Sequence, residues 1–331
     1  MTIQDKERLA RLDETFRMNF QLTRLYKSYL ERCPDIISSK LVDELCADGD
    51  FTKEEALCAL LGELFGIDSE RSAEDRIFMR KYVAPSVRIL DANRYKSDPY
   101  YKNVKIRDVK DGRWELKWES YAPYRAVICD DMVIGNDFLE YAPLGFFTER
   151  FDFPAVLENG NEWMTLTPVD MDTCVEAIEK SRGKVVTFGL GLGYFAYMAA
   201  MKENVESVTV VELSDDVIRL FKKHILPHFP MKEKIKIVSA DAFRYAEDIM
   251  PKENFDFAFV DTWRDASDGA PMYEKMKKLE HLSPKTEFSY WIENFLISRI
   301  RAEKYVKIRE KLDTGATLTY NEVISELENI P

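Results

Sequence analysis

Residues 184–212 read KVVTFGLGLGYFAYMAAMKENVESVTVVE, and this stretch determines the fold class of the chain. Residues 184–188 form a short apolar, β-branched run, which is typical of a strand buried on both faces. Residues 194–201 are helix formers with apolar side chains at helical spacing, and residues 208–211 form a second apolar run. The stretch therefore predicts a strand, a turn, a helix and a second strand in an α/β sheet.

Three alternating glycines, Gly189, Gly191 and Gly193, form the predicted turn. Glycine adopts positive φ readily and has no Cβ, so a ligand can approach the backbone closely at such a turn. Glu212 ends the second strand about twenty positions later, where a carboxylate can accept hydrogen bonds from a ribose. The turn and this acid together predict a nucleoside-type ligand.

Acidic residues also end the next two predicted strands. Residues 235–238 lead to Asp241, and residues 255–260 lead to Asp261. In an open parallel sheet, the carboxyl edge of the strands is where ligands bind. Acids at strand ends also cap the helices that follow, which explains one such residue more easily than three beside a glycine turn.

The motifs GLGLG, VVELS, SADAF and FDFAFVDTW resemble the consecutive motifs of class I S-adenosylmethionine-dependent methyltransferases. Their layout is also similar to that of the aminopropyltransferases of the spermidine synthase group, which share the fold. The resemblance covers about residues 183–291. It implies an α/β, doubly wound, mostly parallel sheet, the Rossmann-like methyltransferase fold, preceded by a helical segment and a small antiparallel β unit.

The resemblance implies S-adenosylmethionine as the cofactor and assigns residues to each part of it. The glycines would line its methionine part, Glu212 would bind the ribose hydroxyls, and Asp241 with the following amide would bind the adenine. Asp261 would face the sulfonium and the acceptor, which makes it the candidate catalytic residue. The implied cofactor-binding residues are Gly189, Leu190, Gly191, Gly193, Glu212, Leu213, Asp241, Ala242 and Asp261.

The acceptor side of the site is expected in the polar segment after Asp261, at Trp263, Arg264 and Asp265. Loops that leave the ligand edge of a sheet often carry acceptor contacts. These charges could recognise a cationic amine, and they could equally form a solvated loop. The acceptor is expected to be a small molecule, which the sequence does not identify.

Three functions stay open, and methyl transfer is favoured among them. Aminopropyl transfer to a polyamine is the alternative. It is less favoured because the aminopropyltransferases carry an aspartate in GGGDGG, and Leu192 stands at that position here. A non-catalytic S-adenosylmethionine-binding protein is the third reading. A nicotinamide dehydrogenase is disfavoured because the third small position of the dinucleotide motif falls on Tyr194.

Composition narrows the class of partners. The formal net charge of −12 argues against nonspecific binding to nucleic acid or anionic membranes. Five cysteines without a C-x-x-C pair predict neither a disulfide framework nor a zinc site, and no metal site is expected. The charged start lacks the apolar core of a signal peptide, and no apolar run is long enough to span a bilayer. A cytoplasmic protein with no membrane contact is therefore expected, and a homo-oligomer stays open.

Three consecutive domains are predicted: a helical region over residues 1–98, a small antiparallel β unit over residues 99–167 and the Rossmann-like domain over residues 168–331. Alternating residues around the Asp111-Gly112 turn predict a β-hairpin at the start of the β unit. Methyltransferases of this class usually finish with two more strands at the edge of the sheet. No convincing pair of such strands follows residue 292.

Overall fold

The structure, a computed structural model, describes residues 3–330. Its strands are β1 (Val87–Leu90), β2 (Val109–Asp111), β3 (Trp114–Tyr121), β4 (Ala126–Ile128), β5 (Val133–Ile134), β6 (Glu140–Tyr141), β7 (Leu144–Phe147), β8 (Phe151–Glu158), β9 (Asn161–Thr165), β10 (Gly183–Phe188), β11 (Val205–Glu212), β12 (Ile235–Ser239), β13 (Phe257–Val260) and β14 (Glu287–Tyr290).

The α-helices are α1 (Ile3–Arg32), α2 (Ser39–Cys46), α3 (Lys53–Phe65), α4 (Ala73–Phe78), α5 (Ala84–Ser86), α6 (Ala92–Lys96), α7 (Pro99–Asn103), α8 (Pro168–Asp172), α9 (Val175–Lys180), α10 (Tyr194–Ala200), α11 (Asp215–His224), α12 (Ala242–Arg244), α13 (Met250–Glu253), α14 (Ala266–Lys277), α15 (Glu293–Asp313) and α16 (Tyr320–Glu328). Short π-helical turns follow α4 and α12. No helix within residues 3–330 is both long and apolar enough to cross a bilayer.

A parallel sheet of five strands has the order β12-β11-β10-β13-β14. This is the order of the first five strands of a doubly wound fold, so the predicted parallel α/β sheet is confirmed. The inner strands are buried over most of their length, with Val185, Val186 and Phe188 of β10 at 0% exposure. Burial on both faces explains why these strands read as continuous apolar runs in the sequence.

The chain reverses its direction of travel across this sheet at β10. It moves outward through β11 and β12, returns to the other side of β10 at β13, and continues to β14. The carboxyl ends of β10 and β13 therefore flank a topological switch point, where ligands bind in open α/β sheets. The strand order places the ends of β10, β11 and β13 side by side.

The described residues form two compact units, each built from separated segments. The sheet unit contains residues 92–120 and 152–293, and the outer unit contains residues 3–91, 121–151 and 294–330. The sequence predicts three domains that are each one continuous segment, whereas these units each combine several segments. The division into three domains stays a prediction.

The outer unit departs from its expected helical character at β1. This strand pairs in parallel with β7, which also pairs antiparallel with β4. The helical region expected before residue 98 therefore also contains a strand, at Val87–Leu90. A four-residue strand carries too little alternation to be recognised, and its partner lies more than fifty residues away in the sequence.

The predicted antiparallel β unit also divides. Strands β2, β3, β8 and β9 form a four-stranded sheet that starts with the predicted hairpin, turning at Gly112. Strands β4 and β7 belong instead to the mixed sheet with β1 in the outer unit. The structure thus confirms strands in this region but not one antiparallel sheet.

Candidate functional site

The glycine turn after β10 is held in backbone conformations that favour glycine. Gly189, Gly191 and Gly193 have φ of 98°, 50° and 75°. The Gly193 amide donates to the Leu190 carbonyl at 2.8 Å, and Gly193 is the residue immediately before α10, which begins at Tyr194. The predicted strand–turn–helix is therefore present, with its glycines where positive φ requires them.

The three glycines face different neighbours. A Cβ at Gly189 would overlap the backbone carbonyl of Asp261, and one at Gly193 would lie 2.5 Å from the ring of Phe221. A Cβ at Gly191 would instead overlap the side chain of Met164. Gly189 and Gly193 are thus required by packing within the sheet unit, whereas Gly191 faces a side chain that can move.

We expect Gly189→Ala to lower the free energy of unfolding by about 2–4 kcal/mol. About 1–2 kcal/mol comes from placing a Cβ at positive φ, and the remainder comes from overlap with a carbonyl that the sheet holds in place. Urea unfolding of Gly112→Ala provides the matched control, because Gly112 has φ of 64° and no atom within 4 Å of its Cβ position. Equal losses in the two variants would show that the Asp261 carbonyl moves aside.

Glu212 connects the glycine turn to the end of the neighbouring strand. One carboxylate oxygen accepts from the Leu190 amide at 3.1 Å, and the other accepts from the Ser214 amide at 2.8 Å. Each oxygen keeps a second lone pair for another donor. The side chain of Leu213 beside it is 71% exposed. Glu212 is therefore oriented by backbone and can still receive hydroxyl groups.

Asp241 has a clear structural role in addition to its predicted one. It is the N-cap of α12 and accepts from the Arg244 amide at 2.9 Å, while Ala242 begins that helix. The capping alternative therefore holds for Asp241. Its contact with an adenine stays a prediction.

Asp261 lies at the end of β13, next to the glycine turn. Its amide donates to the Phe188 carbonyl at 2.8 Å, but no group within residues 3–330 donates a hydrogen bond to its carboxyl. Burial raises the pKa of Asp261 to about 8, helped by the negative charges of Asp170 and Glu212. The carboxyl therefore holds a proton at neutral pH unless a cation lies beside it.

A narrow cavity of about 30 Å³ lies between β10, β13 and the helix before the sheet, with Asp170, Cys174 and Asp261 in its wall. Burial raises the pKa of Asp170 to about 6, although its carboxyl accepts from the Thr167 amide and hydroxyl, both at 2.8 Å. Burial also raises the pKa of the Cys174 thiol well above its usual range. The cavity thus brings together three groups whose pKa values burial raises.

Sequence reasoning missed Asp170 and Cys174 because the helix before the first strand carries no recognised motif. The one available signal was an acid in the Thr167-Pro168-Val169-Asp170 capping box. It also missed Tyr100, whose hydroxyl donates to the Leu192 carbonyl at 2.6 Å and holds the glycine turn from outside.

The predicted acceptor-side residues do not line this cavity. Trp263 is 6% exposed and lies parallel to Tyr290 at 6.4 Å between ring centroids. Asp265 caps α14 by accepting from the Ser267 amide at 2.7 Å, and exposed Arg264 lies 3.8 Å from Asp268. The polar segment expected to be a loop therefore becomes helical from Ala266. Acceptor contacts by these three residues stay a prediction.

Two polar atoms at the start of the segment after Asp261 are buried without a hydrogen-bond partner among residues 3–330. They are the Trp263 indole Nε1 and the Thr262 hydroxyl. In that part of the chain, no group of three or more acidic, histidine or cysteine side chains is arranged to hold a metal ion.

No protein-family model matches this chain, and no curated protein matches it in sequence. Among solved structures, it is similar to spermidine synthase from Thermotoga maritima, with 15% identity and a TM-score of 0.32 over 61% of this chain and 73% of that one. It is also similar to precorrin 8w decarboxylase from Methanobacterium thermoautotrophicum, with 16% identity and a TM-score of 0.28 over 44% and 71% of the two chains. These are weak likenesses in fold, and we assign no family from them.

Proposed function

We propose that the sheet unit binds S-adenosylmethionine at the carboxyl edge of the parallel sheet and transfers its methyl group to a small-molecule acceptor. One observation supports this most: the carboxylate of Glu212 is bonded to the Leu190 amide, which joins the glycine turn to the end of the adjacent strand. Asp261 lies at the end of the strand on the other side of β10. A turn and two carboxylates thus meet at the switch point.

The residues at this edge fit such a cofactor. Gly191 has no Cβ where the ligand would contact the turn, and its neighbour there is a flexible side chain. Glu212 keeps lone pairs for two ribose hydroxyls. The carboxylates of Asp170 and Glu212 place negative charge near Asp261, which favours a positively charged sulfur there and, beside it, the ionised form of Asp261. When bound, S-adenosylmethionine supplies a methyl group on a sulfonium.

The part played by this chain is mainly positioning. Transfer of a methyl group from a sulfonium depends on holding the acceptor in line and excluding water, more than on covalent help. Asp261 holds a proton at neutral pH until a sulfonium beside it favours the carboxylate, and that carboxylate is basic enough to receive a proton from the acceptor. Asp261 is therefore the proposed base for an acceptor that must lose a proton, and the electrostatic partner of the sulfonium otherwise.

Aminopropyl transfer to a polyamine is the second candidate. It is supported by Asp170 and Asp261, which line one cavity and suit an ammonium group. Against it, Leu192 is 1% exposed at the position where those enzymes carry their amine-binding aspartate. Methyl transfer therefore stays the first proposal, and the choice of cofactor form tests it. Binding without transfer, as in a sensor, is the third reading.

We expect Glu212→Ala to weaken binding of S-adenosylmethionine by about 10- to 100-fold, because hydrogen bonds from ligand hydroxyls to a carboxylate contribute about 1.5–3 kcal/mol. The measurement is titration calorimetry with S-adenosylmethionine, its decarboxylated form and NADH. Glu206→Ala is the matched control, because Glu206 is exposed on the same strand and away from the turn.

The ligand series separates the candidates. Preference for the carboxylated form supports methyl transfer, and preference for the decarboxylated form moves the proposal to aminopropyl transfer. Tight binding of either form by Glu212→Ala would place the pocket elsewhere. If the chain bound neither form, even with Met164 beside the turn shortened to alanine, the proposed function would fail.

A further inference from the structure

We infer that Met164 controls access of the ligand to the glycine turn, because its side chain lies where the amino-acid end of the ligand would lie. The inference rests on the proposed function, since it concerns the same site. It makes Met164 a binding-site residue that must turn away before the ligand can bind.

The contact with the turn is direct. A Cβ built on Gly191 would overlap both Sδ and Cε of Met164, so the thioether lies immediately against the backbone of the turn. Met164 also forms part of the wall of the 30 Å³ cavity that contains Asp170 and Asp261. A cavity of this volume holds only about two water molecules. With Met164 in this position, the amino-acid part of a nucleoside sulfonium has no room beside Gly191.

A β-bulge directs Met164 toward the turn. In the ladder between β8 and β9, Val156 pairs with Met164 and Leu157 pairs with Glu162, which leaves Trp163 as the extra residue. Bulges bend a strand and re-aim the neighbouring side chain, and they are frequent next to binding sites. The ring of Trp163 packs edge-on against Trp114, with 5.3 Å between centroids, so the bulge is anchored on its outer side.

The chemistry of methionine suits a side chain that must move. It has three rotatable side-chain bonds and a thioether that needs no hydrogen-bond partner, so a change of rotamer breaks only packing contacts. Met164 is also partly exposed, which leaves it a path out of the cavity. The neighbours of Gly189 and Gly193, a strand carbonyl and a buried ring, have no such freedom. Among the neighbours of the three glycines, the Met164 side chain beside Gly191 is therefore the one that can move aside for a ligand.

The test is titration calorimetry with S-adenosylmethionine on the full chain and three variants. We expect Met164→Ala to bind about tenfold more tightly than wild type, because the variant no longer has to leave a blocked conformation that dominates the population. We expect Met164→Phe to bind at least tenfold more weakly, because a rigid ring fills the same place. Met201→Ala, a change at a methionine that is 42% exposed on the same unit, should leave the affinity within about twofold.

A second measurement does not depend on affinity. In protein labelled with ¹³C at the methionine methyl groups, the Met164 signal should show contact with Gly191 before titration and lose it at saturation. Wild-type binding with no gain in Met164→Ala, or a contact retained at saturation, would overturn the inference and leave the proposed function standing. Absence of binding by wild type and Met164→Ala alike, with both folded by circular dichroism, would overturn both.

Discussion

Arg301→Ala is expected to lower the free energy of unfolding by about 3–5 kcal/mol, because it leaves the carboxylate of Glu140 buried without its partner. Arg301 and Glu140 form an ion pair within the outer unit, with side chains only 10% and 6% exposed. Removal of one member of a buried pair costs far more than the pair contributes, because the remaining charge has lost both water and its counter-charge.

The surroundings of the pair hold Glu140 in place and keep its carboxylate buried when Arg301 is removed. The Ser298 hydroxyl donates to the Glu140 carboxylate at 2.6 Å, which joins α15 to β6, and the Glu140 backbone amide donates to the Asn19 side chain of α1 at 3.2 Å. The Arg301 guanidinium also lies 5.1 Å from the centre of the Phe138 ring. Its Nε is buried with no partner among residues 3–330, so the pair does not satisfy every donor.

Helix α15 provides its own control. Arg299 and Glu303 form an ion pair at 2.9 Å with side chains 52% and 51% exposed. Exposed pairs of this kind contribute about 0.3–0.5 kcal/mol, so Arg299→Ala should change urea unfolding very little. A similar loss in both variants would mean that the Arg301 pair is hydrated in solution.

Much of the parallel sheet could be predicted from the sequence because its signals are local. Strands β10 and β11 are apolar runs in the sequence. The glycines between them have positive φ, and the residue type alone indicates this conformation. Glu212 could be assigned to the edge of the sheet because it ends the apolar run of β11. These features depend on neighbouring residues and on the general rule that parallel strands share one carboxyl edge.

Features that depend on distant pairing could not be predicted. Strand β1 exists because Val87–Leu90 pairs with Leu144–Phe147, and the two units interleave along the chain. Asp170 and Met164 reach the glycine turn from elements that precede it, and neither belongs to a recognised motif. Asp241 at a strand end and Asp265 in the following segment each cap a helix, a role that the sequence pattern alone does not separate from ligand binding. Residue type indicated chemistry at these positions, but only the fold determined what each carboxyl contacts.

Asp261→Asn is expected to stabilise the chain by about 3–5 kcal/mol at pH 8.5 and by less than about 1 kcal/mol at pH 4. The pKa of Asp261 is about 8 in the folded chain and near 3.8 when exposed. Between these values the folded state binds a proton that the unfolded state has lost. Wild-type stability therefore falls as the pH rises from about 4 to 8, and asparagine, which is neutral throughout, removes this fall.

The measurement is urea unfolding of wild type and Asp261→Asn at pH 4, 6 and 8.5. Asp216→Asn is the control of opposite sign, because the hydrogen bond from Arg219 lowers the pKa of Asp216, so its contribution is lost only at acid pH. If Asp261→Asn did not raise the free energy of unfolding at pH 8.5, ionisation of the Asp261 carboxyl would not destabilise the folded chain. A gain would show that the sheet retains an unfavourable group at its carboxyl edge, as functional sites often do.

A bound sulfonium would then displace the proton of Asp261, so affinity for the cation should rise with pH over the range in which stability falls.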